Sequence, residues 1–161
     1  MKMSNNGSVI SLTDRANQIN DWVQNLFTEE IWEYIRLNRE QMQKLSANDC
    51  AEIAFILRQQ ALFVQMKLNK ITACTKSIMY DMDIMIAPQL REYDKFVKYE
   101  ERRLLATREN DVLIKMSAQL NDLEQKKEAL EYVGQRLENM SMSMNDIRRT
   151  KYEYNQTKGS Y

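Results

Sequence analysis

The sequence predicts an all-α protein: an elongated bundle of long, coiled-coil-like helices with a short helical hairpin at the N-terminal end. Three observations carry this. Gly occurs three times and Pro once in 161 residues, whereas sandwiches and α/β domains recruit both for their many turns. An apolar seam at spacings of three and four runs from Ala54 to Met85, the pattern of a helix packed along its length. A second repeat places Met116, Leu123, Leu130, Leu137 and Met144 seven residues apart. The apolar fraction of 43% is enough to bury a core, and eleven methionines suit irregular helix–helix seams.

The elements follow in chain order. Residues 1–10 hold Asn5, Asn6, Gly7 and Ser8 and are expected to form a flexible arm. The hairpin is expected over 11–45. Ser11 can cap its first helix, which carries Ile19, Trp22, Val23, Leu26 and Phe27. Thr28 can cap its second, with Glu29 and Glu30 at the positive end and Ile31, Trp32 and Ile35 on the apolar stripe. Trp22 and Trp32 either pack this hairpin onto the bundle or anchor a partner, a use that favours tryptophan.

A long-helix core is expected over 46–146. Ser46 to Asp49 resembles a capping box and opens a helix expected to run to Ala87. Pro88 should end it, because the residue before proline is pushed out of the α region, and should sit in the first turn of the next helix. The seam comprises Leu57, Val64, Leu68, Ile71, Ile78 and Met82, and Phe55, Leu62, Phe63, Met66, Met79, Ile84 and Ile86 widen the stripe. A stripe that wide fits several packed helices better than a two-stranded coil. Such a helix would be about 60 Å long, against roughly 30–40 Å for a compact chain of this size. The molecule is therefore elongated or meets copies of itself. Thr107 to Asn110 can break the following helix. Beyond it the companion positions Leu113 and Leu120 give way to Lys127, Gly134 and Ser141, so the second seam weakens towards its end. Residues 140–144 suit a hinge, and 147–161 form a basic, tyrosine-bearing tail.

Chemistry is sparse. Histidine is absent, which removes the usual general base near neutral pH and the commonest metal ligand. There is no Gly-rich phosphate loop and no Cys-x-x-Cys pair. Asp81 and Asp83, two apart on a helix, face different ways. The expectation is a non-enzyme with no cofactor, metal or small-molecule substrate. Cys50 and Cys74 fall in apolar patterns and are expected to be buried free thiols. No apolar run is long enough for a transmembrane helix, and nothing near Met1 resembles a signal peptide; a cytoplasmic protein is expected. Net charge is zero, which excludes a globally basic binder but leaves room for local patches. Lys67, Lys70 and Lys76 fall roughly on one side of the first long helix. Arg148, Arg149, Lys151 and Tyr152 combine cations with an aromatic near the C-terminus. Each set is either a solvated face or a phosphate-contacting one, with Tyr able to stack on unpaired bases.

Residues 107–159 resemble the C-terminal part of the UvsY-type recombination mediators of T-even-like phages. The resemblance lies in the lead-in Glu109-Asn110-Asp111, then Val112-Leu113 and one long amphipathic helix. A polar stretch, Ser141 to Asn145, follows, and then Ile147, Arg148 and Tyr152 before a Gly. Ala47 to Met79 is similar to the family's preceding helix in length and apolar spacing. The family's basic stretch near the end of that helix is replaced here by the acidic Tyr80-Asp81-Met82-Asp83, and residues 1–46 have no clear counterpart. The resemblance implies a homo-oligomer that binds single-stranded DNA and helps load a recombinase onto strands covered by single-strand-binding protein, in a phage-infected host cell. The alternatives are a structural or scaffolding coiled-coil protein (a virion component, assembly factor or complex subunit) and a small helical adaptor or inhibitor without nucleic-acid affinity.

Overall fold

The computed structural model describes residues 12–158. The arm at 1–10 and the cap at Ser11 lie outside them. Six helices follow in order: α1 (Leu12–Gln24), α2 (Glu29–Arg36), α3 (Arg39–Lys44), α4 (Ala47–Gln89), α5 (Tyr99–Arg108) and α6 (Asp111–Lys158). There is no strand among the described residues. The all-α, long-helix architecture is as the sequence predicts.

The molecule is an antiparallel hairpin of α4 and α6, and that pairing supplies most of its tertiary contacts. Three cross-links fix the register. The Lys151 ammonium reaches the carbonyl of Leu45, the Ser141 hydroxyl donates to the Ala54 carbonyl at 2.9 Å, and Gly134 lies against Val64. The 43 residues of α4 correspond to a rod about 65 Å long. The seam closes within the chain. Leu57, Val64 and Met82 on α4 and Leu130, Leu137 and Met144 on α6 are buried; Leu68, Ile71, Ile78, Met116 and Leu123 are half-buried.

The core has two parts. At the base, α1, α2 and α3 cover the start of α4 and the end of α6, enclosing Val23, Ile31, Ile35, Met42, Cys50, Leu57, Val64, Leu130 and Leu137. At the tip, Met82, Ile86, Ala106 and Leu113 form a smaller cluster. Between them, residues 65–81 of α4 and 114–129 of α6 include no fully buried side chain.

Several local expectations change. The N-terminal region is three short helices rather than a two-helix hairpin. Asn38 starts the extra one, with a reciprocal capping box to Gln41; Thr28 sits at an N-cap position without a side-chain cap bond. The box at Ser46 and Asp49 forms as read, with Asp49 N–H donating to Ser46 Oγ at 3.1 Å. Pro88 does not end α4 and does not open the next helix: it lies in the last turn of α4, and residues 90–98 form turns before α5. A proline there forfeits one ladder bond, and the chain leaves the helix one residue later, so little further is lost. The break before Asn110 occurs, with the Asn110 side chain accepting from Val112 N–H. No hinge occurs at 140–144, because Ser141 and Met144 are buried against α4 and hold α6 straight through. The tail from 147 to 158 is the last part of the same helix. Both cysteines are free, but only Cys50 is buried; Cys74 is exposed.

Candidate nucleic-acid interface

The two basic sets singled out in the sequence lie far apart. Lys67, Lys70 and Lys76 sit in the middle of the rod, whereas Arg148, Arg149, Lys151 and Tyr152 are at its base, level with the start of α4. The separation is about 33 Å, counted along α4 from Leu45 to Lys67.

At the base, Lys151 has a structural task. Its ammonium donates to the carbonyl of Gln43 at 2.7 Å and to that of Leu45, which are orphan acceptors at the end of α3. Cations are favoured at that end of a helix. The same ammonium helps hold the Asp49 carboxyl below its ordinary range, after the larger effects of the Ser46 hydroxyl and backbone N–H. Arg148 is half-buried, and Arg149 and Tyr152 are exposed. Leu45, Ser46, Thr150, Lys151 and Tyr154 line an open groove here.

The middle of α4 is different. Residues 53–80 contain Arg58, Lys67, Lys70 and Lys76 and no acidic residue. Arg58, Lys70 and Lys76 are exposed, and none forms an ion pair among the described residues. Lys67 lies over Phe63, its Nζ 5.2 Å from the ring centroid, a cation–π contact. Phe63 packs edge-on against Phe27 of the α1–α2 connection. The stretch ends at Tyr80, exposed, with Asp81 and Asp83 beyond. Asp83 is engaged by Arg103 of α5 at 2.9 Å.

Sequence reasoning missed Arg58, which joins the lysines only once residues 53–80 are scanned for missing acids. It also grouped Phe55, Leu62 and Met66 with the core stripe. At 100° per residue these three lie opposite Leu57 and Val64, and they are 62%, 62% and 71% exposed. A helical wheel separates the two faces.

Both tryptophans are engaged within the chain. The Trp32 indole N–H donates to the Gln24 carbonyl at 3.1 Å, and its ring meets Phe27 edge-on. Trp22 carries the Lys126 ammonium over its face at 5.5 Å. No group of three or more His, Cys, Asp or Glu side chains that could hold a metal ion occurs among the described residues. No helix among them is long and apolar enough to cross a membrane. No family model, curated protein or solved structure matches the chain.

Proposed function

We propose that this chain is a non-catalytic helical accessory protein that binds single-stranded DNA along the outer side of α4 and, in the manner of a recombination mediator, helps load a recombinase. The observation that carries the reading is the acid-free stretch 53–80, with Arg58, Lys70 and Lys76 exposed and unpaired. Unpaired cations along one helix displace the counterions of a phosphate backbone whatever its sequence. The base of the rod contributes less, because Lys151 is committed to the end of α3.

The test is fluorescence anisotropy of a single-stranded oligonucleotide at two salt concentrations. Affinity should fall as salt rises. Replacing Arg58, Lys70 and Lys76 by Glu should weaken binding about tenfold or more at low salt and flatten the salt slope by roughly 2, at ~0.7 per lost phosphate contact. Unchanged binding by that variant would remove α4 as the site. A scaffold without nucleic-acid affinity is the second reading. It is favoured by the exposed apolar residues that share this side of α4, and it expects no binding at any salt.

A further inference from the structure

The two long helices turn different faces to solvent. On α6 the exposed apolar side chains are scattered, Val112 and Ile114 at the tip, Tyr132 and Met142 farther along and Tyr152 and Tyr154 at the base, among the exposed polar residues Asn121, Glu128, Gln135, Asn139 and Asp146. The outer positions of α4 include Phe55, Leu62, Met66, Tyr80 and Ile84, which are 62%, 62%, 71%, 67% and 55% exposed. Side chains of this size, more than half uncovered, together present roughly 600–700 Å² per chain, with the small exposed residues Asn69, Ala73 and Ser77 between Met66 and Tyr80. A standard interface buries about 800 Å² per partner, so the stripe with its flanks is the size that a stable dimer needs.

The arrangement of the stripe is symmetric. Ala73 is exposed at its centre; Met66 and Tyr80 lie seven residues to either side of it, and Leu62 and Ile84 eleven. Seven and eleven residues are both near whole numbers of helical turns, so all five positions share one face. The geometry points to this face as the contact between two copies of the chain, with the α4 helices antiparallel about a two-fold axis at Ala73. That axis sets Met66 against Tyr80 of the partner subunit and Leu62 against Ile84 of the partner subunit. The small Ala73 side chains meet at the axis, where they let the helices approach to about 8 Å. Such a contact is isologous and closes at two copies.

Charge is compatible with this pairing. Lys70 and Lys76 flank the stripe rather than interrupt it. Each lysine is offset from its own symmetry mate by six residues, about 9 Å along the axis, roughly one Debye length at physiological salt. The lysines line the rims of the paired helices and stay in water. The inference stands without the nucleic-acid reading, and its test is made with no nucleic acid present.

The experiment is light scattering of the full chain at micromolar concentration, with helicity followed by circular dichroism. The wild type should have the mass of a dimer. The Leu62→Glu, Met66→Glu variant should be a monomer of unchanged helicity, because both side chains already face solvent within the chain. Orientation is read by oxidative cross-linking in a Cys74→Ser background. Ala73→Cys should give a covalent dimer, and Leu62→Cys should not, because antiparallel helices hold the two copies of residue 62 about 33 Å apart. A monomeric wild type overturns the proposal and leaves the face to a partner of other chemistry. An oligomer that survives the double glutamate variant overturns it, and so does cross-linking through Leu62→Cys.

Discussion

Gly134 lies inside α6, where a glycine costs roughly 1 kcal/mol relative to alanine. Replacing it would therefore stabilise an isolated helix by that amount. Within the hairpin the result reverses. A Cβ at this position would stand 3.1 Å from Val64 Cγ1, tighter than ordinary van der Waals contact, so the valine would have to give by a few tenths of an ångström. Val64 is 1% exposed and enclosed by the base core, and a β-branched side chain has little rotamer freedom on a helix. Little room is left for that shift, and overpacking of this kind costs about 1–3 kcal/mol. Gly134→Ala should thus lower the free energy of unfolding by about 1 kcal/mol net, read from urea midpoints at unchanged m-value. The decisive comparison is with Val64→Ala. That change alone should cost about 2 kcal/mol for the buried methyl groups removed. In its background Gly134→Ala should become stabilising by nearly the full helix propensity, giving a coupling of about 2 kcal/mol. If Gly134→Ala stabilises both backgrounds equally, the close approach of the helices there is not what selects glycine.

Lys151→Met should destabilise by about 1–2 kcal/mol in thermal or urea unfolding, since it strips the end of α3 of a charged donor; an unchanged midpoint would make the contact incidental. Tyr34 and Tyr93 are each pushed up to about 12, first by hydrogen bonds to Glu30 and Glu109. A raised folded value favours the protonated phenol, so that contribution is complete below pH 10 and is lost as pH rises through about 12. The thermal midpoint should drop across that window, and the drop should shrink in the Tyr34→Phe, Tyr93→Phe double variant. Native-state hydrogen exchange should show the tip, with its four buried residues, opening at lower free energy than the base; equal protection would mean that the half-buried middle of the rod transmits cooperativity fully.

Much of the fold was legible because its signals are local. The Ser46–Asp49 box, the polar break before Asn110 and the seven-residue repeats specify where long helices begin and which face they bury. What misled was polarity read without its partner. Ser141 and Gly134 look like the decay of a seam, yet both face α4 at its closest approach. There a small side chain is a packing choice, and the hydroxyl is satisfied by a backbone carbonyl. Lys151 looks like a free cation until α3 exists to present its carbonyls; α3 was not foreseen, so neither was its cap. The prolyl residue at 88 carries the right penalty but sits where the helix is about to stop.

The same limit applies to the candidate site. Lys67, Lys70 and Lys76 could be placed on a helix from spacing alone, but whether they were free depended on what lay beside them. The structure puts α5 near Asp83 and leaves residues 65–81 without a fully buried side chain. A helix of 43 residues paired with only one other long helix necessarily leaves most of its circumference uncovered. On α6 that circumference is mostly polar, and its exposed apolar residues, Val112, Ile114, Tyr132, Met142, Tyr152 and Tyr154, are scattered from tip to base. On α4 it carries seven exposed large apolar side chains, Phe55, Leu62, Phe63, Met66, Met79, Tyr80 and Ile84, and three unpaired cations within 30 residues that hold only two acids, Asp81 and Asp83. Burial in the α4–α6 hairpin explains the first stripe of α4 completely and the second not at all, so whatever this protein binds, the outer side of α4 is where the sequence departs furthest from what folding alone requires.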